Sequence, residues 1–167
     1  MGNKLSLAPS LDSALFLTVM IIRAGKSKDF KKLYKLGKVT PELKVSNSLD
    51  FMDPDEFLWA IKNPKGVFLI AEVNSKIAGF IYASTSDFER SLSKNWACLV
   101  YVVVDKKYRK KGIASKLYKA CIKKLKAKGI TNIYAWANIE SDGAIAKFMK
   151  KKRFVKGHKY VWMDKKI

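Results

Sequence analysis

Residues 97–129 read ACLVYVVVDKKYRKKGIASKLYKACIKKLKAKG, and this stretch decides the fold. Ala97 to Val104 is an unbroken apolar run rich in β-branched residues, which reads as a strand. Asp105 to Lys111 is short and charged. Gly112 to Lys128 carries apolar residues at helical spacing and stops at Gly129. A strand that turns tightly into a helix exposes N–H groups with no intrahelical partner. Together with the positive helix end they make an anion site, and phosphate is its common occupant. Gly112 removes the side chain where a phosphate would approach, and Ala114 stays small for the same reason. Arg109 adds a fixed charge, and Lys110 and Lys111 raise the local potential. The stretch is neither a P-loop nor a dinucleotide fingerprint, since neither glycine pattern occurs. Taken alone, Arg-x-x-Gly-x-Ala is also what a plain basic loop before a helix looks like.

Working outward, Thr18 to Ala24 reads as a first strand, followed by Gly25-Lys26-Ser27 as a turn with a candidate N-cap. A first helix is expected over Lys28–Leu36, with Phe30, Leu33 and Tyr34 on one side. Gly37 to Ser48 is polar and reads as a loop or broken helix. Asp53-Pro54 opens a second helix running to Lys62, with Pro in its first turn. Val67–Val73 and Ile77–Ser84 are two strands around Asn74-Ser75-Lys76, a short hairpin turn. Thr85 to Lys94 is a polar loop. Beyond the central stretch, Thr131–Asn138 is a strand parallel to Ala97–Val104 if the helix between them is a crossover. A short helix over Gly143–Lys152 follows, and Phe154–Gly157 with Lys159–Met163 read as a final strand pair. The order β-α-α-β-β-β-α-β-α-β-β predicts one α/β (α+β) domain, a mixed sheet with helices.

The length of 167 residues suits one domain, and the 49% apolar and 12% aromatic content suits a globular fold. No apolar run reaches a membrane span. Residues 1–19 differ from the rest and read as an extension, with residues 20–167 as the domain. They begin Met-Gly-Asn-Lys-Leu-Ser, a short match to the N-myristoylation pattern, and Met20 is an alternative start. The net charge is +20, and lysine supplies all but four of the 34 basic residues. Such a balance suits either acidic partners or a solvated lysine face. Arginine, the usual fork for bases and phosphates, is scarce. Cys98 and Cys121 form no disulfide or metal framework, so buried reduced thiols and a cytoplasmic location are expected, with no metal site.

The run Val102-Val103-Val104-Asp105-Lys106-Lys107-Tyr108-Arg109-Lys110-Lys111-Gly112-Ile113-Ala114 resembles the acetyl-coenzyme A signature of the GNAT superfamily of N-acetyltransferases. The likeness extends from about Thr18 over the order of elements. It includes Asn138 at the end of the next strand. Phe148-Met149-Lys150-Lys151-Lys152-Arg153-Phe154 is similar to the family's Phe/Leu-Tyr-x-Lys-x-Gly-Phe. The resemblance implies a mostly antiparallel sheet whose Ala97–Val104 and Thr131–Asn138 strands splay apart. It implies acetyl-coenzyme A as a substrate, its pantetheine arm in that gap beside backbone groups of Val102 and Val104. Val102, Val103, Val104, the segment Arg109, Lys110, Lys111, Gly112, Ile113 and Ala114, and Asn138 are the expected binding residues. The amides of Arg109 to Ala114 would hold the pyrophosphate, and an N–H near Val102 would polarise the thioester carbonyl.

Proton transfer is where this chain departs from the family. A lysine amine is protonated at neutral pH, with a reference pKa near ~10.4, so a base or a water relay is expected. The family's tyrosine, which protonates the leaving thiolate, is replaced by Met149, whose thioether cannot donate a proton. Arg153 replaces the usual glycine. The thiolate then leaves without a protein acid, or Tyr134, Tyr101 or Tyr118 serves, or the protein binds coenzyme A without transfer. Glu72, in an otherwise apolar strand, and Glu140, beside Asn138, are the base candidates, each with a plain structural reading. Asp105 reads as a turn residue and His158 as an exposed loop residue. The leading expectation is an N-acetyltransferase acting by direct attack of a protein or peptide amine. A silent coenzyme A-binding module comes second. Nucleic-acid binding comes last, because the lysines are spread through helices without interleaved aromatics. A homodimer is left open.

Overall fold

The computed structural model describes residues 19–44, 51–86, 94–137, 143–158 and 165. Five strands form one sheet in sequence order: β1 (Met20–Ala24), β2 (Val67–Val73), β3 (Lys76–Ser84), β4 (Trp96–Val104) and β5 (Asn132–Ala135). The first four pair antiparallel, and β4 pairs parallel with β5. The mixed, mostly antiparallel sheet expected from the sequence is therefore present. Two residues make the β2–β3 hairpin, Asn74 at φ 48° and Ser75 at φ 63°. That left-handed pair matches the twist of antiparallel strands.

Helices cover both faces. On one lie α1 (Phe30–Lys38) and α2 (Pro54–Lys62); on the other lie α3 (Ile113–Ala127) and α4 (Ala144–Lys151). Alternation along each strand sends neighbouring residues to opposite layers. Beneath α1 and α2 the layer is aromatic: Phe51, Phe57, Phe68, Phe80 and Tyr82 are buried with Leu33 and Val103. Phe57 sits at its centre, with ring contacts to Phe51 at 5.2 Å, Phe68 at 5.7 Å and Phe80 at 5.7 Å. Beneath α3 and α4 the layer is aliphatic and small, built from Leu69, Ala71, Ala78, Ile81, Ala83, Ala97 and Leu99 against Ile113, Leu117, Cys121, Leu125 and Met149.

Local signals set most boundaries. Asp53 caps α2 by accepting from the Asp55 and Glu56 N–H groups, with Pro54 in the first helical position. Ser27 does not cap α1. A 3-10 turn over Ser27–Asp29 precedes it, and Asp29 accepts from the Lys26 N–H at 2.9 Å. The first half of the expected final strand pair is absent, since Phe154–His158 has no strand pairing. Phe154 packs instead against Tyr118, and Val155 is fully turned to solvent. Its expected partner, Lys159–Met163, lies outside the described residues, as do residues 1–18. Among the described residues no helix is long and apolar enough to cross a membrane.

Candidate functional site

β4 changes partner halfway along. Its register with β3 places Tyr101 opposite Tyr82 and Leu99 opposite Ala83, so Val100 is an extra residue. Such a bulge bends a strand and increases its twist. Pairing with β5 begins at Trp96 and Asn132 and stops at Leu99 and Ala135, at the residue before the bulge. Beyond it, no described strand pairs with that edge of β4.

The direction of the backbone groups follows from alternation. The Asp105 N–H donates to the Ala78 carbonyl at 2.9 Å, on the β3 side. Val103, two residues earlier, faces the same way; its carbonyl lies where a side chain on Gly79 would stand. Val102 and Val104 therefore turn their N–H and C=O groups to the open edge. Val103 belongs to the β3 side, and its side chain is buried in the aromatic layer. The sequence groups all three valines as one set, and the two-residue alternation separates them.

The turn after β4 is built from short-range bonds. Asp105 accepts from the Lys107 N–H at 2.9 Å, closing a 3-10 turn over Lys106–Tyr108. Lys110 and Gly112 then take left-handed backbone, at φ 62° and φ 76°. The first α3 bond runs from the Lys116 N–H to the Gly112 carbonyl. Among the described residues, the N–H groups from Lys110 to Ser115 make no backbone hydrogen bond. A Cβ at Gly112 would meet nothing within 4 Å, so the space above the turn is open. Unbonded amides in left-handed turns at a helix start form a concave anion cradle, which fits a phosphate or pyrophosphate. Ile113 is buried below the turn, and Ala114 is half-buried.

Arg109 is placed differently from the sequence reading. Its Nε donates to the Val104 carbonyl at 3.1 Å, and its guanidinium grips both Glu42 oxygens at 2.6 and 3.2 Å. The pair raises the Arg109 pKa and holds the Glu42 carboxyl below its usual range, mainly through the shared hydrogen bonds. Arg109 thus ties the 3-10 turn Pro41–Leu43 to the end of β4, and its charge is already matched. Lys110 and Lys111 stay exposed, with the Lys111 ammonium 5.7 Å from the Tyr108 ring centre.

The proposed proton-transfer residues are scattered. Glu72 accepts from Arg23 at 2.5 Å, and Arg23 also holds Asp29 with two bonds at 2.7 and 2.9 Å. This triad joins β2, β1 and the turn before α1. It depresses the Asp29 pKa through the hydrogen bond from Arg23. Tyr134 stands beside the point of divergence, opposite Cys98, with its ring near Trp96 and Trp136. Tyr101 is packed on Phe51 in the aromatic layer, and burial pushes its phenol pKa well up. Tyr118 packs against Phe148 and Phe154. Met149 is buried in the aliphatic layer. Burial raises the Cys121 thiol to about 12, which keeps it protonated and inert. His158 is exposed. Asn138 and Glu140 lie outside the described residues.

A depression of about 350 Å³ between α1 and the start of β3 is lined by Lys32, Lys35, Leu36, Val39, Lys76, Ile77 and Asp105. It shares only Asp105 with the strand–turn–helix segment. The open β4 edge is a different kind of feature, a line of backbone groups suited to an extended ligand that adds like a strand. The sequence carries no signal for the Val100 bulge, hidden in an apolar run. Glu42 is equally silent, a lone acid beside a proline 67 residues from Arg109.

The description "Acetyltransferase (GNAT) family" belongs to the family model that matches residues 31–151. An uncharacterized N-acetyltransferase of Methanocaldococcus jannaschii is 28% identical over 89 residues, covering 53% of this chain. The aligned part is 39% of that relative's length. Among solved structures, an aminoglycoside acetyltransferase from an uncultured soil metagenomic sample, in complex with sisomicin, superposes with a TM-score of 0.66 at 18% identity. The match covers 89% of this chain and 96% of that one. An N-acetyltransferase of Thermoplasma acidophilum, PaiA, in complex with coenzyme A, gives 0.60 at 18% identity, covering 80% and 88%. At these identities the likeness shows a shared fold.

Proposed function

Because this chain belongs to the acetyltransferase (GNAT) family, we propose that it transfers an acetyl group from acetyl-coenzyme A to a primary amine by direct attack. The observation that carries the reading is the open β4 edge running into unbonded amides at the start of α3. Val102 and Val104 supply strand-like pairing to the pantetheine arm. The amides from Lys110 to Ala114 take the pyrophosphate, with Lys110 and Lys111 adding exposed charge. Arg109 acts as a brace, holding the turn through Glu42 and Val104. The coenzyme A complex of the Thermoplasma acidophilum structure supports this ligand for the shared fold.

In the reaction the neutral amine attacks the thioester carbonyl carbon. The new N–C bond forms, the C–S bond breaks, and the sulfur leaves as a thiolate. The amine's extra proton passes to water or to a base. Val102 presents its N–H on the open edge, where it stabilises the developing oxyanion. With Met149 buried and lacking a proton, solvent is the proposed proton source for the thiolate. Tyr134 is the alternative acid and Glu140 the favoured base. The Arg23 contact supports a structural role for Glu72. The proposed acceptor is a protein or peptide amine, because the sequence of the domain carries no added lid segment for a bulky small molecule. The aminoglycoside enzyme in the same fold makes a small polyamine the competing acceptor.

Titration with acetyl-coenzyme A, followed by a thiol-release assay on peptide and small-amine panels, tests this. Saturable binding with amine-dependent thiol release supports the transferase. Binding without release on any amine selects the second reading, a silent coenzyme A-binding module, which the buried Met149 motivates. Tyr134→Phe refines the proton path. A change in kcat under about threefold fits solvent protonation, whereas a loss of roughly 100-fold makes Tyr134 the acid.

A further inference from the structure

The lysines are not evenly distributed once the chain is folded. No Asp or Glu occurs from Lys106 to Ile139 or from Gly143 to Met163, although Lys and Arg recur from Lys106 to Lys128 and from Lys147 to Lys159. These stretches contain α3 and α4, which lie side by side on one face of the sheet. Tyr118 of α3 packs edge-on to Phe148 of α4, and the Lys152 ammonium donates to Ser115 at 3.1 Å. On α3, Lys116, Lys119, Lys123 and Lys126 are exposed opposite the buried stripe Ile113, Leu117, Cys121 and Leu125. On α4, Lys147, Lys150 and Lys151 point away from buried Met149 in the same manner. The described acids gather elsewhere: Asp29, Glu42, Asp53, Asp55 and Glu56 on the α1–α2 side, with Glu72 in β2 and Asp105 after β4.

We propose that the α3–α4 face docks on a nucleic-acid duplex through its phosphates, without reading sequence. Charge complementarity selects a polyanion, and the absences on this face select which kind. Membrane docking through a helix uses apolar side chains inserted beside the charges. Among described residues, the exposed large apolar side chains are Val19, Ile21, Val39, Trp59, Trp136 and Val155, and none is on α3 or α4. A protein partner needs aromatic or aliphatic anchors and an interface core poor in lysine. Single strands need exposed rings for stacking, whereas Tyr118 and Phe148 are half-buried against each other. Lysines without arginine forks contact phosphates as point charges, which supplies affinity without base readout. The α3 row from Lys116 to Lys126 extends about 15 Å at 1.5 Å per residue, enough to meet several phosphates. This site is independent of the acetyl-transfer reading, since its central lysines lie beyond the Arg109–Ala114 turn.

The full chain is titrated into a labelled 24-base-pair duplex, as DNA and as RNA, across 50–300 mM salt by fluorescence anisotropy. Log affinity is expected to fall linearly with log salt. Lys119→Glu/Lys123→Glu/Lys126→Glu should weaken binding roughly 10–100-fold at 100 mM salt and flatten the slope by about 2–3 for DNA. The same lysines changed to glutamine, which suits a helix, should give a smaller loss in the same direction. Acetyl-coenzyme A affinity and the circular dichroism spectrum should not change. Salt-insensitive or undetectable duplex binding overturns the proposal. So does an equal loss from Lys31→Glu/Lys32→Glu/Lys35→Glu on α1, because net charge alone would then explain it. Binding to phosphatidylserine vesicles at salt that abolishes duplex binding overturns it in favour of a membrane.

Discussion

The two faces of this sheet solve the same burial problem with different materials. Under α1 and α2, five aromatic residues interlock, and the charges outside are mixed and partly paired. Under α3 and α4, the sheet offers alanine, valine, leucine and isoleucine, and the exposed charges on the two helices are all lysine. The aromatic face is held by ring packing and by the Arg23 triad that ties β1, β2 and the start of α1. The aliphatic face packs α3 on the sheet, and the first turn of α3 follows the end of β4 that lies beyond its pairing with β5. One layer holds the interlocked rings, and the other borders the proposed binding features. Substituting each in turn should separate stability from ligand affinity.

The largest effect is expected from Phe57→Ala, which empties the centre of the aromatic layer. A fully buried phenylalanine costs about 3–5 kcal/mol on truncation, read by urea denaturation. Leu117→Ala on the other face should cost about 2–5 kcal/mol. A result in which Leu117→Ala exceeds Phe57→Ala would reverse the ranking of the faces.

Gly112→Val should act on ligand affinity more than on stability. A β-branched residue at φ 76° is strained by about 1–2 kcal/mol. Its side chain also enters the open space over the amides. Losing two charge-assisted bonds predicts a coenzyme A affinity loss on the order of 100-fold, measurable by calorimetry. An unchanged affinity would remove the turn from the binding site.

Glu72→Gln probes the triad. Removing one charge-assisted partner should cost about 1–2 kcal/mol, discounted for partial exposure of Arg23. The kcat should stay within about threefold. A collapse of kcat with stability intact would make Glu72 the base after all.

Stability should also fall at both ends of the pH scale. Asp29 and Glu42 have depressed pKa values in the fold. Their contribution is present above the unfolded carboxylate value near ~4 and is lost as pH falls through the folded values. Cys121 is raised from 9.0 to about 12, so its contribution holds below pH 9 and is lost as pH rises toward 12. Thermal melts from pH 3 to 11 should show both limbs, and Cys121→Ala should remove the onset near pH 9. The smallest effect is expected from Arg109→Gln. That exposed clamp should cost about 1 kcal/mol or less and weaken coenzyme A binding a few-fold through a looser turn.

Much of this is legible in consecutive residues. The apolar run before Asp105, the capping Asp53-Pro54 and the hairpin Asn74-Ser75 each encode their element locally, and each forms within a residue or two of its expected place. The start of α1 shifts because Ser27 joins a 3-10 turn organised by Asp29 and Arg23, a contact between segments. Phe154–Gly157 is misread because its apolar alternation describes a candidate strand, whereas in the fold Phe154 packs on Tyr118 and Val155 turns to solvent. The same distinction separates Val102 and Val104 from Val103, since only pairing with β3 decides which backbone groups remain open.

The sequence by itself determined the strand–turn–helix segment, the glycine at its junction, the family likeness and the positive charge. These depend on residues close along the chain, where steric rules and hydrogen-bond geometry act directly. Only the tertiary structure decided that Val100 bulges where β5 departs, that Arg109 spends its charge on Glu42, and that lysines from two helices share one face with no acid among the described residues. Those arrangements depend on which distant segments the sheet brings together, and no local preference encodes that.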